Sequence, residues 1–222
     1  MLVLSHRGNC ANFPENTLDA FRAAAKLGVD GIETDVRLSA DGLPVLCHDR
    51  VTPDGREVAS LTRHELAEAL GHHVPTLDEA LDLWDGGLWN LEIKTLGAGE
   101  VALDVLKGYR ESRDLFITSF RHDFIRNVAR TGVYRCGALL ASYPAGPAAL
   151  DSLLAGMPGV NDVVWDYEIF DRALSDWLKA RGVRSMVYGV ETEREHADCR
   201  LLGLAGVITN RPDFLLEESA SC

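Results

Sequence analysis

The 222-residue chain has no long apolar run. Its first, Met1-Leu2-Val3-Leu4, has no basic segment before it. A membrane span needs roughly 20 apolar residues, and a signal peptide needs a longer apolar centre than this. The expectation is a cytoplasmic protein without stable membrane insertion. Runs of Lys or Arg are also missing. With 22 basic against 34 acidic residues the net charge is −12. Such a chain repels nucleic acid and anionic lipid, so neither is expected as a partner. Cysteine is sparse: Cys10, Cys47, Cys136, Cys199 and Cys222 are scattered, odd in number and without metal-type spacing. Reduced thiols are the simplest reading. Linkers and low-complexity tracts are absent, and the Ala/Gly/Pro patch from Tyr143 to Ala149 is short enough to be a loop. What is present, 46% apolar residues, suffices for one sizeable core. One domain over 1–222 is expected.

Short apolar runs alternate with amphipathic stretches. Strands are expected at 2–6, 31–38, 88–94, 115–120, 135–141, 162–165, 185–190 and 206–210. Helix-like segments lie at 76–84, 100–111, 122–131, 171–182 and 192–203, and the clearest is "NTLDAFRAAAKLG". There Asn16 can cap the start and Gly28 sits where a helix stops. Eight strands separated by helices predict a (β/α)8 barrel rather than an open doubly wound sheet.

One run breaks the alternation. "LPVLCH" (43–48) follows "DVRLS" after only Ala40-Asp41-Gly42. A parallel strand needs a crossover of about a dozen residues, so 43–48 must return antiparallel. A two-residue turn sets Asp35 opposite His48, and a three-residue loop shifts the pairing by one position. Either way His48 comes back beside Asp35, within a compact insertion over about 39–75.

Chemistry collects at strand ends. Period two puts Glu33 and Asp35 on one face of "GIETDVRL" and Glu92 and Lys94 on one face of "LEIK". His6 ends the first strand, and Arg7 follows it. The C-terminal ends of barrel strands are where barrel active sites lie. Three carboxylates meeting in a core entrance need protons or a cation, and all-oxygen ligands suit Mg²⁺ or Ca²⁺. With Arg7 and Lys94 the three acids carry −1. A divalent ion makes the site +1, which attracts a phosphate, the usual partner of Arg and Lys. Histidines beside it can act as acid and base near neutral pH. The parts read as metal-assisted phosphoester cleavage.

In order and spacing, "SHRG", "PENT", "ETDV", "HD" and "LEIK", with "TSF" and "GVITNRP" later, resemble the glycerophosphodiester phosphodiesterase family. The resemblance runs along nearly the whole chain. It implies a (β/α)8 barrel that hydrolyses glycerophosphodiesters to glycerol 3-phosphate and an alcohol. It further implies that His6 and His48 are the acid/base pair, that Glu33, Asp35 and Glu92 hold the metal, and that Arg7 and Lys94 lie near the phosphate. Two departures stand out. Val187-Tyr188-Gly189-Val190 replaces a Trp-Thr-Val-Asn-like stretch, and Asn210 stands where Asp is common. Phe120 and Tyr188 are candidate pocket walls. Glu15 is a candidate support for Arg7. His64, His122 and His196 fall in polar helix contexts and are expected to be solvated. Competing readings are a phospholipase D-like enzyme acting on lysolipids or sphingolipids, an enolase-like barrel using Lys94, and a non-catalytic phosphate-binding barrel.

Overall fold

The computed structural model describes residues 1–216, so Cys222 and the tail of the expected domain lie outside the described residues. Its strands are β1 (Leu2–His6), β2 (Gly31–Leu38), β3 (Pro44–Leu46), β4 (Leu88–Ile93), β5 (Asp114–Ser119), β6 (Arg135–Leu140), β7 (Asp162–Asp166), β8 (Arg184–Val190) and β9 (Gly206–Thr209). All except β3 run parallel in a ring that closes where β1 pairs with both β2 and β9. The helices are α1 (Leu18–Leu27), α2 (Arg63–Leu70), α3 (Leu77–Leu83), α4 (Leu96–Leu106), α5 (His122–Ala129), α6 (Pro147–Ala155), α7 (Arg172–Lys179) and α8 (Glu193–Leu201). This is the expected (β/α)8 barrel with a hairpin after its second strand.

The strand pattern explains the layering. Outward positions such as Ile32, Leu91 and Trp89 pack under the helices, where Phe21 of α1 meets the Trp89 ring edge-on at 5.3 Å. Inward positions Leu4, Leu88, Phe116, Leu139, Val164, Met186 and Ile208 form an apolar plug across the barrel. Further along the same strands the inward residues turn polar. The plug therefore closes one end and leaves a polar floor at the C-terminal mouth.

Local signals set the helix ends, with three differences from expectation. Thr17, not Asn16, caps α1: its hydroxyl accepts from the Ala20 amide, and Gly28 ends the helix at φ +78°. Asn16 is needed elsewhere, as described below. Helix α4 begins at Leu96 rather than Glu100 because Thr95 accepts from the Ala98 amide. A glycine-rich first turn hid this start, but Gly99 packs so close to the Phe124 ring that a Cβ would meet it. The patch expected as a loop at 143–149 instead leads into α6, with Pro147 at a first-turn position where its missing N–H is harmless.

The hairpin takes the three-residue alternative. Ser39 N–H donates to the Leu43 carbonyl at 3.0 Å, and Ala40-Asp41-Gly42 form the loop with Gly42 at φ +77°. Leu38 thus pairs with Pro44, and the Cys47 amide donates to the Asp35 carbonyl at 3.0 Å. His48 follows one position on. Val45, Cys47, Val58, Leu61, Leu66 and Val74 pack together beneath this segment.

Candidate active site

The first strand ends in a forced turn. Arg7 and Gly8 both take left-handed backbones, φ +58° and +80°. Gly8 lies so near α1 that a Cβ would come within 2.7 Å of the Ala20 backbone. No other residue meets both demands. The turn is held by Arg7 N–H donating to the Glu33 carbonyl at 2.8 Å and by Asn16 N–H donating to the Arg7 carbonyl at 3.0 Å. It sends the guanidinium over the barrel mouth.

The acids meet as their strand register requires. Asp35 and Glu92 are direct neighbours across β2 and β4. Oxygens of Glu33, Asp35 and Glu92 lie within 4.8 Å of one another. Two cations stand against them. Lys94 Nζ is 2.7 Å from Asp35 Oδ1 and 2.5 Å from Glu92 Oε1. Arg7 Nε is 3.1 Å from Asp35 Oδ2, and its Nη1 donates to Glu15 Oε2 at 2.7 Å. Asn16, itself left-handed at φ +56°, donates Nδ2 to Asp35 Oδ2 at 2.9 Å and accepts from the Thr34 hydroxyl at 2.6 Å.

Burial and this charge pattern split the three carboxyls. Burial pushes Glu33 well above the ordinary carboxylate range, and the neighbouring Asp35 and Glu92 charges push it further. Burial also raises Glu92, against the pull of Lys94. For Asp35 burial acts upward too, but Lys94, Arg7 and the amide of Asn16 outweigh it and hold it low. Burial would lower Lys94, yet Asp35 and Glu92 keep it raised.

The histidines differ. His6 Nδ1 lies 2.7 Å from Asn210 Oδ1, while Nε2 is 3.7 Å from Glu33 Oε2. Burial, then Arg7, bring His6 down to about 4. His48 is half-buried and donates Nδ1–H to Asp49 Oδ1 at 2.9 Å. Two guanidinium nitrogens of Arg37 hold its carbonyl, at 2.8 and 2.6 Å.

These groups line one cavity of about 260 Å³. Both histidines, Arg7, Glu33, Glu92, Lys94, Phe120 and Tyr188 border it. Asp35 lies just behind, sealed from solvent. Phe120 and Tyr188 pack edge-to-face at 6.1 Å and form an apolar wall. Asn90 was not foreseen. It is fully buried on the cavity floor, donates to Thr118 Oγ1 at 2.6 Å and leaves its Oδ1 without a donor. An amide inside the apolar run "LWNLEIK" was the available signal. Asn16, read as a cap, proves to be a support for Asp35, and Glu15 does hold Arg7. His64 is exposed as expected, but His196 is fully buried. It donates Nδ1–H to the Thr192 carbonyl and bonds Thr209 Oγ1 through Nε2, both at 2.6 Å. His122 is half-buried and donates to the Leu139 carbonyl at 2.8 Å.

The acid cluster fits a hard divalent cation. Its donors are all oxygen, and three lie close enough to share one ion. Asp35 Oδ1, although beside Lys94, receives no aligned hydrogen bond. Burial favours the protonated form of Glu33, and a cation shared by these oxygens would compete with that proton.

Together these define a (β/α)8 barrel with a candidate hard-metal centre at its C-terminal mouth, flanked by two histidines and two cations. The chain belongs to the glycerophosphoryl diester phosphodiesterase family, whose model matches residues 6–214. It is 30% identical to a glycerophosphodiester phosphodiesterase of Caldanaerobacter subterraneus, over 97% of this chain and 96% of that one. Among solved structures, a glycerophosphodiester phosphodiesterase from Thermotoga maritima superposes with a TM-score of 0.83 at 26% identity, covering 97% of this chain and 96% of its own. An Oleispira antarctica phosphodiesterase in complex with the product sn-glycerol-3-phosphate gives 0.82 at 25% identity, covering 96% and 94%.

Proposed function

We propose that the chain hydrolyses glycerophosphodiesters to glycerol 3-phosphate and an alcohol, with Glu33, Asp35 and Glu92 holding Mg²⁺ or Ca²⁺. One observation carries the reading: three carboxylates converge within 4.8 Å beside two histidines on one cavity. Family membership and the product named for the Oleispira relative support the substrate class. When bound, the cation would neutralise charge on the phosphate and draw it into the acidic mouth.

The chain's own groups do the rest. Arg7 and Lys94, now paired with carboxylates, would turn part of their charge to the non-bridging oxygens once a cation shares those acids. His6 acts as general base: its Nδ1–H is committed to Asn210, and Nε2 faces the cavity. It takes the proton of the attacking hydroxyl: water's, which gives glycerol 3-phosphate directly, or that of the neighbouring glycerol hydroxyl, which gives a cyclic phosphate that water then opens to glycerol 3-phosphate. His48 acts as general acid and delivers a proton to the leaving alcohol, with Asp49 as the carboxylate partner of its imidazolium. Phe120 and Tyr188 offer the glycerol carbons an apolar wall.

The barrel and its 39–75 insertion work as one catalytic unit in this reading. No helix among the described residues is long and apolar enough to cross a membrane. The charge of −12 supports a small-molecule substrate rather than nucleic acid, and the proposal places the enzyme in the cytoplasm. Product analysis on a panel of glycerophosphodiesters, with and without divalent ions, tests the proposal. Glycerol 3-phosphate should appear only with metal, and failure to cleave any member of the panel under either condition would sink it.

A further inference from the structure

Asn210 is the first residue after β9, and its side chain meets the first strand across the barrel seam. Two groups converge on its Oδ1: His6 Nδ1 at 2.7 Å and the donating Cys10 thiol at 3.2 Å. Burial, helped by Glu15, raises the Cys10 thiol and keeps its proton in place as a donor. Because the thiol donates, the amide turns its oxygen rather than its nitrogen toward this side, and the ring nitrogen of His6 that faces the same oxygen is the one placed to donate.

The loop that carries Asn210 is also fixed. The Arg211 amide donates to Thr209 Oγ1 at 2.8 Å. That hydroxyl bonds Nε2 of the buried His196, whose Nδ1–H is anchored on the Thr192 carbonyl at the start of α8. The polar chain thus runs from α8 through Thr209 to the segment holding Asn210. It also gives the buried His196 a role that its polar sequence context did not suggest.

We propose that Asn210 is a positioning residue that fixes His6 in its Nδ1–H tautomer, so that the Nε2 lone pair faces the cavity. A neutral imidazole carries one proton shared between two tautomers, and the hydrogen bond on one nitrogen decides which. A general base needs its lone pair on the nitrogen facing the substrate. An amide oxygen accepts without adding charge. Asn therefore selects the tautomer while leaving the electrostatics of the neighbouring acid cluster unaltered, which a carboxylate at this position would not. The proposal rests on the reading of His6 as base.

Nitrogen-15 NMR of histidine-labelled protein reads the tautomer directly, with the His6 signals assigned by their loss in His6→Ala. The wild-type protein should show His6 with the proton on Nδ1. Asn210→Leu, which removes the acceptor, should populate the Nε2–H form and lower kcat by on the order of 10²-fold, with KM changed far less. Asn210→Asp still accepts on the same nitrogen and should keep the Nδ1–H form and most of the activity. An Nε2–H signal in the wild-type protein overturns the proposal even if Asn210→Leu fails to fold. So does an unchanged tautomer in Asn210→Leu, or a changed tautomer with unchanged kcat. Full turnover in His6→Ala would instead overturn the base assignment and leave the tautomer result standing.

Discussion

Lys94 Nζ lies 2.7 Å from Asp35 Oδ1, with the lysine side chain 11% and the aspartate side chain 1% exposed. Asp35 sits on β2 and Lys94 directly follows the adjacent β4, where the aspartate is sealed and the lysine reaches only the cavity. Removing one partner of a buried pair commonly costs about 3–5 kcal/mol, because the other charge is stranded. Lys94→Met leaves Asp35 its Arg7 and Asn16 partners but takes the cation from Glu92, so it should lower the stability of metal-free protein measurably, by less than that full amount, in denaturant titrations. Excess Mg²⁺ or Ca²⁺ should recover part of the loss, because a cation on Asp35 and Glu92 replaces the missing charge. A variant as stable as wild type without metal would show that the pair contributes nothing net.

Metal binding should release a proton and strengthen with pH. Burial and the neighbouring Asp35 and Glu92 hold Glu33 above its ordinary range, and a ligating carboxylate must be ionised. Calorimetry in buffers of different ionisation enthalpy should show proton release, together with weaker affinity as pH falls. Folding linkage has a matching sign. A raised folded-state value means the native state binds more protons, so the contribution of Glu33 to stability falls as pH rises from about 4.5 upward. His6 runs the other way: lowered to about 4, it adds stability that is present above about 6.5 and lost as pH falls toward 4. Glu33→Gln mimics the protonated acid. It should be at least as stable as wild type near pH 8 without metal, yet bind metal poorly and turn over slowly. A destabilised Glu33→Gln protein would contradict the upward shift of Glu33.

Asn16 ties the start of α1 to the site through Asp35 and Thr34. Asn16→Ala removes both bonds and leaves a residue less suited to φ +56° in place. A loss of about 1–3 kcal/mol is expected from the stranded buried groups, with a fall in metal affinity as Asp35 loses its anchor. Thermal unfolding and metal titration on the same sample measure both. Unchanged metal affinity would reduce Asn16 to a role in folding alone.

The two histidines should act as a unit. His6→Ala and His48→Ala are each expected to lose roughly 10²- to 10⁴-fold in kcat, while metal binding persists. The double variant should lose less than the product of the two, since groups serving one transition state are not additive. The wild-type rate should be bell-shaped in pH. Near-normal turnover in either single variant across the pH range would end the acid/base assignment.

Much of this was legible in the sequence because strands obey a period of two. Glu33, Asp35, Glu92 and Lys94 had to share inward faces, and the tight Ala40-Asp41-Gly42 connection had to return His48 to the neighbourhood of Asp35. Strand-helix alternation fixed the barrel for the same reason: a local repeat read many times over. Ring closure and loop geometry decided the remainder. Only when β9 meets β1 does Asn210 reach His6, 204 residues away in the chain. The left-handed backbones at Arg7 and Asn16 turn a loop arginine and an apparent helix cap onto one buried aspartate. Burial was the other hidden quantity. It sealed His196 despite its polar neighbours and lifted Glu33 while Asp35, two residues away, was held low. Residue type and spacing announce which groups face inward, but desolvation and cross-barrel distance exist only once the ring has closed.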